Sequence, residues 1–178
     1  MTPSHHTEKL ITAAEISQRI TALAEEINRD YAGKEILLLG TLKGAYVFIA
    51  DLSRKITVPT EIDFLKVSSY GDSTSPITQV TFDHRPLCNL EGKHILLVED
   101  IVDTGHTLAF LRNYLEDQSP ASLRVCALLD KPERRQAELP QSEYIGFPIP
   151  DKFVVGYGLD YAQRYRNLPD IEVVIFED

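Results

Sequence analysis

Cysteine occurs only twice in the 178-residue chain, at Cys88 and Cys126, and no CxxC pair or metal-ligand spacing is present. Both cysteines lie in or near apolar runs, which favours reduced thiols over a disulfide framework. No apolar run approaches the roughly 20 residues needed to span a bilayer. The N-terminal MTPSHHTEKL is polar and lacks a signal-peptide core. We therefore expect a soluble, cytoplasmic protein with no membrane partner.

Positive charge is also scarce. Lysine and arginine total 18 against 27 aspartates and glutamates, which gives a formal net charge of −9. This excess argues against nucleic acid as a partner, since a polyanion repels an acidic protein. Apolar residues make up 43% of the chain and charged residues 25%, an ordinary globular composition. With no repeats and no linker, residues 1–178 are predicted to form a single domain.

Apolar runs and helical periodicity alternate along the chain. Thr12 and Glu15 form a capping-box pattern before a first helix, which Gly33 ends. Three short apolar runs are typical of buried strands: Glu35–Gly40, Lys93–Glu99 and Ser122–Asp130. Helices are predicted at Gly44–Ile56 and at about Thr107–Gln118, and further strands at Thr60–Tyr70, Ile77–Phe82, Phe153–Tyr157 and Glu172–Phe176. This order predicts an α/β fold with a parallel sheet, whose ligands bind at the carboxyl ends of the strands.

The segment Val98–Leu108 (VEDIVDTGHTL) is the most informative part of the sequence. It joins the end of a buried strand to the start of a helix, where backbone N–H groups suit a phosphate. Two adjacent carboxylates at the strand end can hold sugar hydroxyls or a hydrated Mg²⁺. The alternative is a plain helix cap made by Asp103 or Thr104. Neither GxxxxGK[S/T] nor GxGxxG is present, which excludes the nucleotide sites built on those motifs.

This segment resembles the 5-phosphoribosyl 1-pyrophosphate (PRPP) binding motif of the type I phosphoribosyltransferases. Four other segments resemble the 6-oxopurine salvage enzymes of that family: Leu42-Lys43-Gly44, Ser68-Ser69-Tyr70-Gly71, Lys131 and Asp151–Tyr161 (DKFVVGYGLDY). The resemblance covers the chain from about Ile36 to its C-terminus. It implies a twisted parallel sheet flanked by helices, a small hood formed by the N- and C-terminal segments, and a flexible lid loop.

The resemblance implies transfer of ribose 5-phosphate from PRPP to N9 of hypoxanthine or guanine, which yields IMP or GMP and pyrophosphate. The 5′-phosphate would be wrapped by the loop residues Asp103, Thr104, Gly105, His106 and Thr107. Glu99 and Asp100 would hold the ribose hydroxyls and the water shell of Mg²⁺, the implied cofactor. The pyrophosphate would be bound by Lys43, next to an unusual cis peptide bond after Leu42, together with Gly44 and Arg166. Arg164 is a rival for the last of these roles.

The resemblance also assigns the base site and the lid. Lys131 would donate to the purine 6-oxo group, Phe153 would stack on the ring, and the Val154 backbone would read the base. Asp160 would support a second Mg²⁺ through water. Asp103 is the candidate general acid/base at purine N7, with simple helix capping as the alternative. Ser69 and Tyr70 would belong to the lid that excludes water.

Two other functions remain open from the sequence. One is a non-catalytic regulator of the same fold that senses PRPP and binds nucleic acid, against which the charge of −9 counts. The other is an enzyme with a different base, such as xanthine-guanine phosphoribosyltransferase. A homodimer or homotetramer is expected by analogy with relatives.

Overall fold

The computed structural model describes residues 3–70, 79–136 and 142–177. Its nine strands and three helices run in the order β1 (His5–Ile11), α1 (Ala13–Asp30), β2 (Ile36–Leu42), α2 (Tyr46–Ser53), β3 (Thr60–Tyr70), β4 (Gln79–His84), β5 (His94–Val102), α3 (His106–Glu116), β6 (Ser122–Asp130), β7 (Tyr144–Pro148), β8 (Val154–Val155) and β9 (Ile171–Phe176). A short 3₁₀ turn, Pro132–Arg134, follows β6. Helix α1 begins with the predicted capping box, in which the Thr12 side chain accepts from the Glu15 amide and Glu15 accepts from the Thr12 amide.

The main sheet has six strands in the order β4-β3-β2-β5-β6-β7. Strands β3, β2, β5, β6 and β7 are parallel to their neighbours, whereas β4 runs antiparallel to β3 at the edge. The prediction of a parallel sheet flanked by helices is confirmed, and the antiparallel edge strand β4 completes it. Strands β2 and β5 lie side by side at the centre, so their following loops meet at one end of the sheet.

Helices cover both faces of this sheet. Alternate residues of β2 point in opposite directions, so that Ile36 and Leu38 pack with α1 and α2, while Leu37 and Leu39 pack with α3. Burial on both faces explains why β2, β5 and β6 read as continuous apolar runs. Among the described residues, no helix is both long and apolar enough to cross a membrane.

The N- and C-terminal segments form a separate three-stranded sheet, ordered β1-β9-β8. Its strands pair antiparallel, with His6 opposite Ile175 and Val154 opposite Val173. This sheet is the predicted hood, and it contains the expected strand Glu172–Phe176.

Several predicted bounds were wrong, for local reasons. The helix expected at Gly44–Ile56 covers only Tyr46–Ser53, because residues 43–45 form a turn. The strand expected at Phe153–Tyr157 is limited to Val154–Val155, because Gly156 adopts a φ of 92°. Strands β1 and β7 were not predicted at all.

Candidate active site

The carboxyl ends of β2 and β5 bring together the loops that the sequence analysis singled out. The peptide bond between Leu42 and Lys43 is cis, as the resemblance implied. The next residue, Gly44, lies so close to Asp100 that an added Cβ would stand 1.5 Å from the Asp100 Oδ2 atom. On the other side, Gly158, in the segment between β8 and β9, approaches the Gly44 carbonyl, and a Cβ added to Gly158 would lie 2.1 Å from that oxygen. The turn after β2 therefore lies between the Asp100 carboxylate and the segment that joins β8 to β9.

Two adjoining cavities open at this end of the sheet. One, of about 260 Å³, is lined by the loop between β5 and α3 and includes Asp103, Thr104 and Gly105. The other, of about 270 Å³, is lined by Thr41, Leu42, Lys43, Gly44, Val67, Glu99, Asp100, Thr107, Asp160 and Arg166. Glu99, Asp100 and Thr107 line both cavities. One elongated ligand could therefore contact the phosphate loop and the cis-peptide turn together.

Glu99 is the buried carboxyl group between the cavities, with only 6% of its surface exposed. Its Oε2 atom accepts a 2.6 Å hydrogen bond from the Thr41 hydroxyl, while its buried Oε1 atom has no partner among the described residues. Burial and the neighbouring Asp100 charge raise the pKa of Glu99 to about 8, against the opposing hydrogen bond from Thr41. An unpartnered buried oxygen of this kind is suited to a ligand hydroxyl or a cation.

Asp100 is partly buried and points toward the turn after β2. Burial raises its pKa to about 6, although hydrogen bonds from backbone amides and the positive charge of Arg166 act in the opposite direction. The amide of Ile101 donates a 2.8 Å hydrogen bond to its Oδ1 atom. Cationic or hydroxyl-bearing ligands should therefore bind most strongly once both carboxyl groups have ionised.

The raised pKa of Glu99 makes the stability of the ligand-free protein depend on pH. The unfolded chain loses this proton near pH 4.5 and the folded protein near pH 8, so the free energy of unfolding falls as pH rises between these values. Glu99→Gln removes this titration. We therefore expect the free energy of unfolding of the variant, relative to that of wild type, to increase by about 3 kcal/mol from pH 5 to pH 8. Urea unfolding at several pH values measures this change. The exposed Glu91→Gln control should keep the wild-type slope, and an unchanged slope in Glu99→Gln would contradict the prediction.

The loop between β5 and α3 has the shape of a phosphate site. Gly105 occupies the N-cap position of α3 with a φ of 90°, and no side chain caps the helix. The alternative that Asp103 or Thr104 caps this helix is therefore wrong. Since the first four N–H groups of a helix lack acceptors within it, the amides near His106 and Thr107 are available to an anion. The exposed His106 ring lies 3.3 Å from the Gln136 amide oxygen.

A chain of ionic contacts leads from this loop to the predicted base site. Arg134 Nε donates a 2.9 Å hydrogen bond to Asp103 Oδ1, and its Nη1 atom lies 3.6 Å from Asp151 Oδ2. The other oxygen of Asp151 lies 3.6 Å from the ammonium of Lys131, a residue that is only 6% exposed. The positive charge of Arg134 and the negative charge of Asp151 thus connect Asp103 to Lys131.

The predicted pyrophosphate residues Lys43, Gly44 and Arg166 line one cavity together with Asp160. Arg166 forms a 2.7 Å ion pair with Asp160 and donates to the Gly158 carbonyl, also at 2.7 Å. Arg164, its rival from the sequence, is exposed and does not line this cavity. Its position in the cavity lining therefore favours Arg166 over Arg164 as the pyrophosphate ligand.

Three predicted base-site residues lie outside the lining of the two cavities. Phe153 is 47% exposed, packs edge-on against Tyr161 with ring centroids 5.6 Å apart, and precedes the buried Val154 of β8. Lys131, Phe153 and Val154 are absent from the lining of both cavities. The resemblance places the lid at Ser68–Pro76, and its residues from position 71 onward lie outside the described residues. Only the backbones of Ser69 and Tyr70 are described, at the end of β3 opposite Val80 and Gln79.

A preformed cage for a metal ion is not found in the part of the chain that the structure describes. No three His, Cys, Asp or Glu side chains there converge on one point. Mg²⁺ usually keeps several waters and takes one or two carboxylates together with substrate phosphates, so Glu99, Asp100 and Asp160 fit this less direct mode. The unpartnered Oε1 atom of Glu99 supports that fit.

Comparison with known proteins identifies the family. Residues 6–162 match the model of the phosphoribosyl transferase domain, and the chain belongs to this family. Within it, the chain is 47% identical to a hypoxanthine phosphoribosyltransferase from Escherichia coli K12 over 176 residues, 98% of each protein. It is also 47% identical over 165 residues to a hypoxanthine-guanine phosphoribosyltransferase from Mycobacterium tuberculosis, covering 89% of this chain and 81% of the relative.

Among solved structures, a hypoxanthine-guanine phosphoribosyltransferase from Bacillus anthracis superimposes with a TM-score of 0.90. The two chains are 45% identical, and the match covers 94% of this chain and 98% of the other. The recognition made from the sequence is confirmed. The likeness also extends beyond its expected start at Ile36, because the relative from E. coli matches nearly the whole chain.

The structure places at the site two residues that were not predicted, Thr41 and Arg134. Thr41, the partner of Glu99, was passed over at the end of an apolar strand, although a hydroxyl beside a buried strand end was a usable signal. Arg134 lies in a segment that was read only as irregular and proline-rich. Its contact with Asp103 joins residues 31 positions apart, and nothing in the local sequence indicates it.

Proposed function

We propose that this protein transfers the 5-phosphoribosyl group of PRPP to N9 of hypoxanthine, and of guanine, in purine salvage. The observation that carries the proposal is that a phosphate-type loop and a cis-peptide turn line adjoining cavities with Glu99 and Asp100 between them. This arrangement suits a ligand with a phosphate at one end, a diphosphate at the other and a sugar in the middle. The names of the relatives support the choice of purine.

In this proposal, the amides at the start of α3 and the hydroxyls of Thr104 and Thr107 bind the 5′-phosphate. Lys43, the Gly44 backbone and Arg166 bind the diphosphate, which leaves as the C1′–O bond breaks. Glu99 and Asp100 hold the ribose hydroxyls, and in their ionised form they stabilise the oxocarbenium character that develops on the sugar. Asp103 exchanges a proton with purine N7 as N9 bonds to C1′.

Mg²⁺ is the proposed cofactor, with Glu99, Asp100 and Asp160 as the residues that would hold it through water. The ion would neutralise charge on the diphosphate leaving group. Lys131, Phe153, Val154 and the lid residues Ser69 and Tyr70 keep the roles that the family resemblance implies. We also propose that residues 1–178 act as one domain, in a homodimer or homotetramer, in the cytoplasm, where thiols such as those of Cys88 and Cys126 stay reduced.

A direct assay tests the function. The purified protein is incubated with PRPP, Mg²⁺ and hypoxanthine, guanine or xanthine in parallel, and the nucleotide products are separated and quantified. IMP from hypoxanthine is expected, with pyrophosphate released in equal amount. Failure to form a nucleotide from either hypoxanthine or guanine would refute the proposal. A preference for xanthine would favour the xanthine-guanine alternative.

The base-binding role of Lys131 has its own expected result. If its ammonium donates to the purine 6-oxo group, Lys131→Ala removes a charge-assisted hydrogen bond and should lower kcat/KM for hypoxanthine about 10- to 100-fold. The KM for PRPP should change far less. Lys34→Ala, at the opposite end of the sheet, is the matched control and should behave as wild type. Equal increases in both KM values would argue against a contact with the base.

A further inference from the structure

Asp103 is not alone in its loop: Arg134 approaches it from the 3₁₀ turn that follows β6. The Nε atom of Arg134 donates to Asp103 Oδ1 at 2.9 Å, within ordinary hydrogen-bond range. Asp103 Oδ2 has no hydrogen-bond partner among residues 3–70, 79–136 and 142–177. The guanidinium therefore occupies one oxygen and leaves the other for a ligand.

Arg134 is itself held in place. Its turn is tied to the phosphate loop by the Lys131 amide, which donates to the Val102 carbonyl at 2.9 Å, and by the Gln136 amide, which donates to the Thr104 carbonyl at 3.0 Å. Its Nη1 atom pairs with Asp151 at 3.6 Å. Main-chain hydrogen bonds thus connect the backbone of this turn to that of the phosphate loop, and they keep Arg134 within reach of Asp103.

We propose that Arg134 is a positioning residue for the phosphoribosyl transfer, which fixes the rotamer of the Asp103 carboxylate so that Oδ2 faces the purine. The inference rests on the proposed function, in which Asp103 exchanges the N7 proton. Arg134 does not touch the substrate. It acts through Asp103, because a directional N–H···O bond on Oδ1 removes the rotation that would otherwise point either oxygen away from the base.

The second contact of Arg134 is with Asp151, which also pairs with Lys131. Asp151 lies between the Arg134 guanidinium and the Lys131 ammonium, 3.6 Å from each. Removal of Arg134 leaves the contact between Asp151 and Lys131 in place, so the affinity for hypoxanthine should change little. Since about half of the Arg134 side chain is solvent-exposed, its removal should change this network without damaging the core.

Steady-state kinetics of Arg134→Ala test the inference. We expect kcat to fall about 10- to 100-fold, with KM for PRPP and for hypoxanthine within about 3-fold of wild type. Arg134→Lys should recover part of the loss, since it keeps the charge but not the planar Nε donor. Arg29→Ala, an exposed arginine at the end of α1, is the control and should keep wild-type kcat. Thermal unfolding of all variants should match wild type within about 3 °C.

A double-mutant cycle separates positioning from an independent effect. In the Asp103→Asn background, Arg134→Ala should change kcat by less than about 2-fold, because the residue it acts through is already disabled. An unchanged kcat for Arg134→Ala, or a loss that is additive with Asp103→Asn, would overturn the inference alone. A wild-type protein that forms no nucleotide would instead refute the proposed function, and the inference with it.

Discussion

Replacing Gly44 with alanine is expected to lower kcat/KM for PRPP at least about 100-fold while leaving the protein folded. The added Cβ would lie 1.5 Å from Asp100 Oδ2 and 2.5 Å from its Cγ, far inside contact distance. The carboxylate is the end of a side chain and can rotate away, so the fold can adapt. It cannot do so and also remain between the two cavities, where the ribose and the diphosphate are proposed to bind.

The measurement is steady-state kinetics with varied PRPP, together with thermal unfolding. Gly33→Ala provides a contrasting control, because no atom lies within 4 Å of the Cβ it would add. Its φ of 75° should lower stability by about 1 kcal/mol with little effect on kcat/KM. If Gly44→Ala keeps wild-type kcat/KM, the close approach of the turn to Asp100 has no importance for the reaction.

The phosphate loop was predictable from the sequence because its chemistry is contiguous. The strand, the paired acids at Glu99 and Asp100, the small residues up to Gly105 and the helix follow one another within a few positions. Backbone amides do the proposed binding, so the local conformation is sufficient to indicate the site. The same holds for the central strands, whose burial on both faces leaves a continuous apolar run.

Contacts between distant segments were not predictable in this way. Gly158 contacts the Gly44 carbonyl, and Arg134 contacts Asp103. No motif in the sequence around these residues indicates either contact. Strand β1 carries mostly polar residues and its alternation is irregular, since only Ile11 is buried. Its pairing with β9 defines it, and that pairing spans almost the whole chain.

The strand β7 (Tyr144–Pro148) illustrates a different cause of error. Pro148 ends the strand and Pro140 and Pro150 flank it, a pattern that indicates a loop. The strand lies at the edge of the sheet and pairs with β6 on one side only. Proline has no backbone N–H to donate, and at an edge no strand on the other side requires one. Edge position, which the sequence does not display, makes the prolines compatible with a strand.

Asp103→Asn should lower kcat about 100- to 1,000-fold with little change in KM for PRPP. Asparagine has the shape of aspartate and can keep an oxygen toward Arg134 Nε, so the loop geometry and the phosphate site should persist. It cannot accept the proton that N7 must exchange during transfer. The substitution should therefore lower kcat and leave KM for PRPP nearly unchanged.

The control is Asp117→Asn, an exposed aspartate at the other end of α3, which should keep wild-type kinetics. Parallel fits of kcat and KM for PRPP and hypoxanthine distinguish the two roles proposed for Asp103. A large rise in KM for PRPP with a proportionate loss of kcat/KM would assign Asp103 to the phosphate loop alone. Because the helix is capped by Gly105 and by no side chain, a loss confined to kcat cannot be attributed to removal of a helix cap.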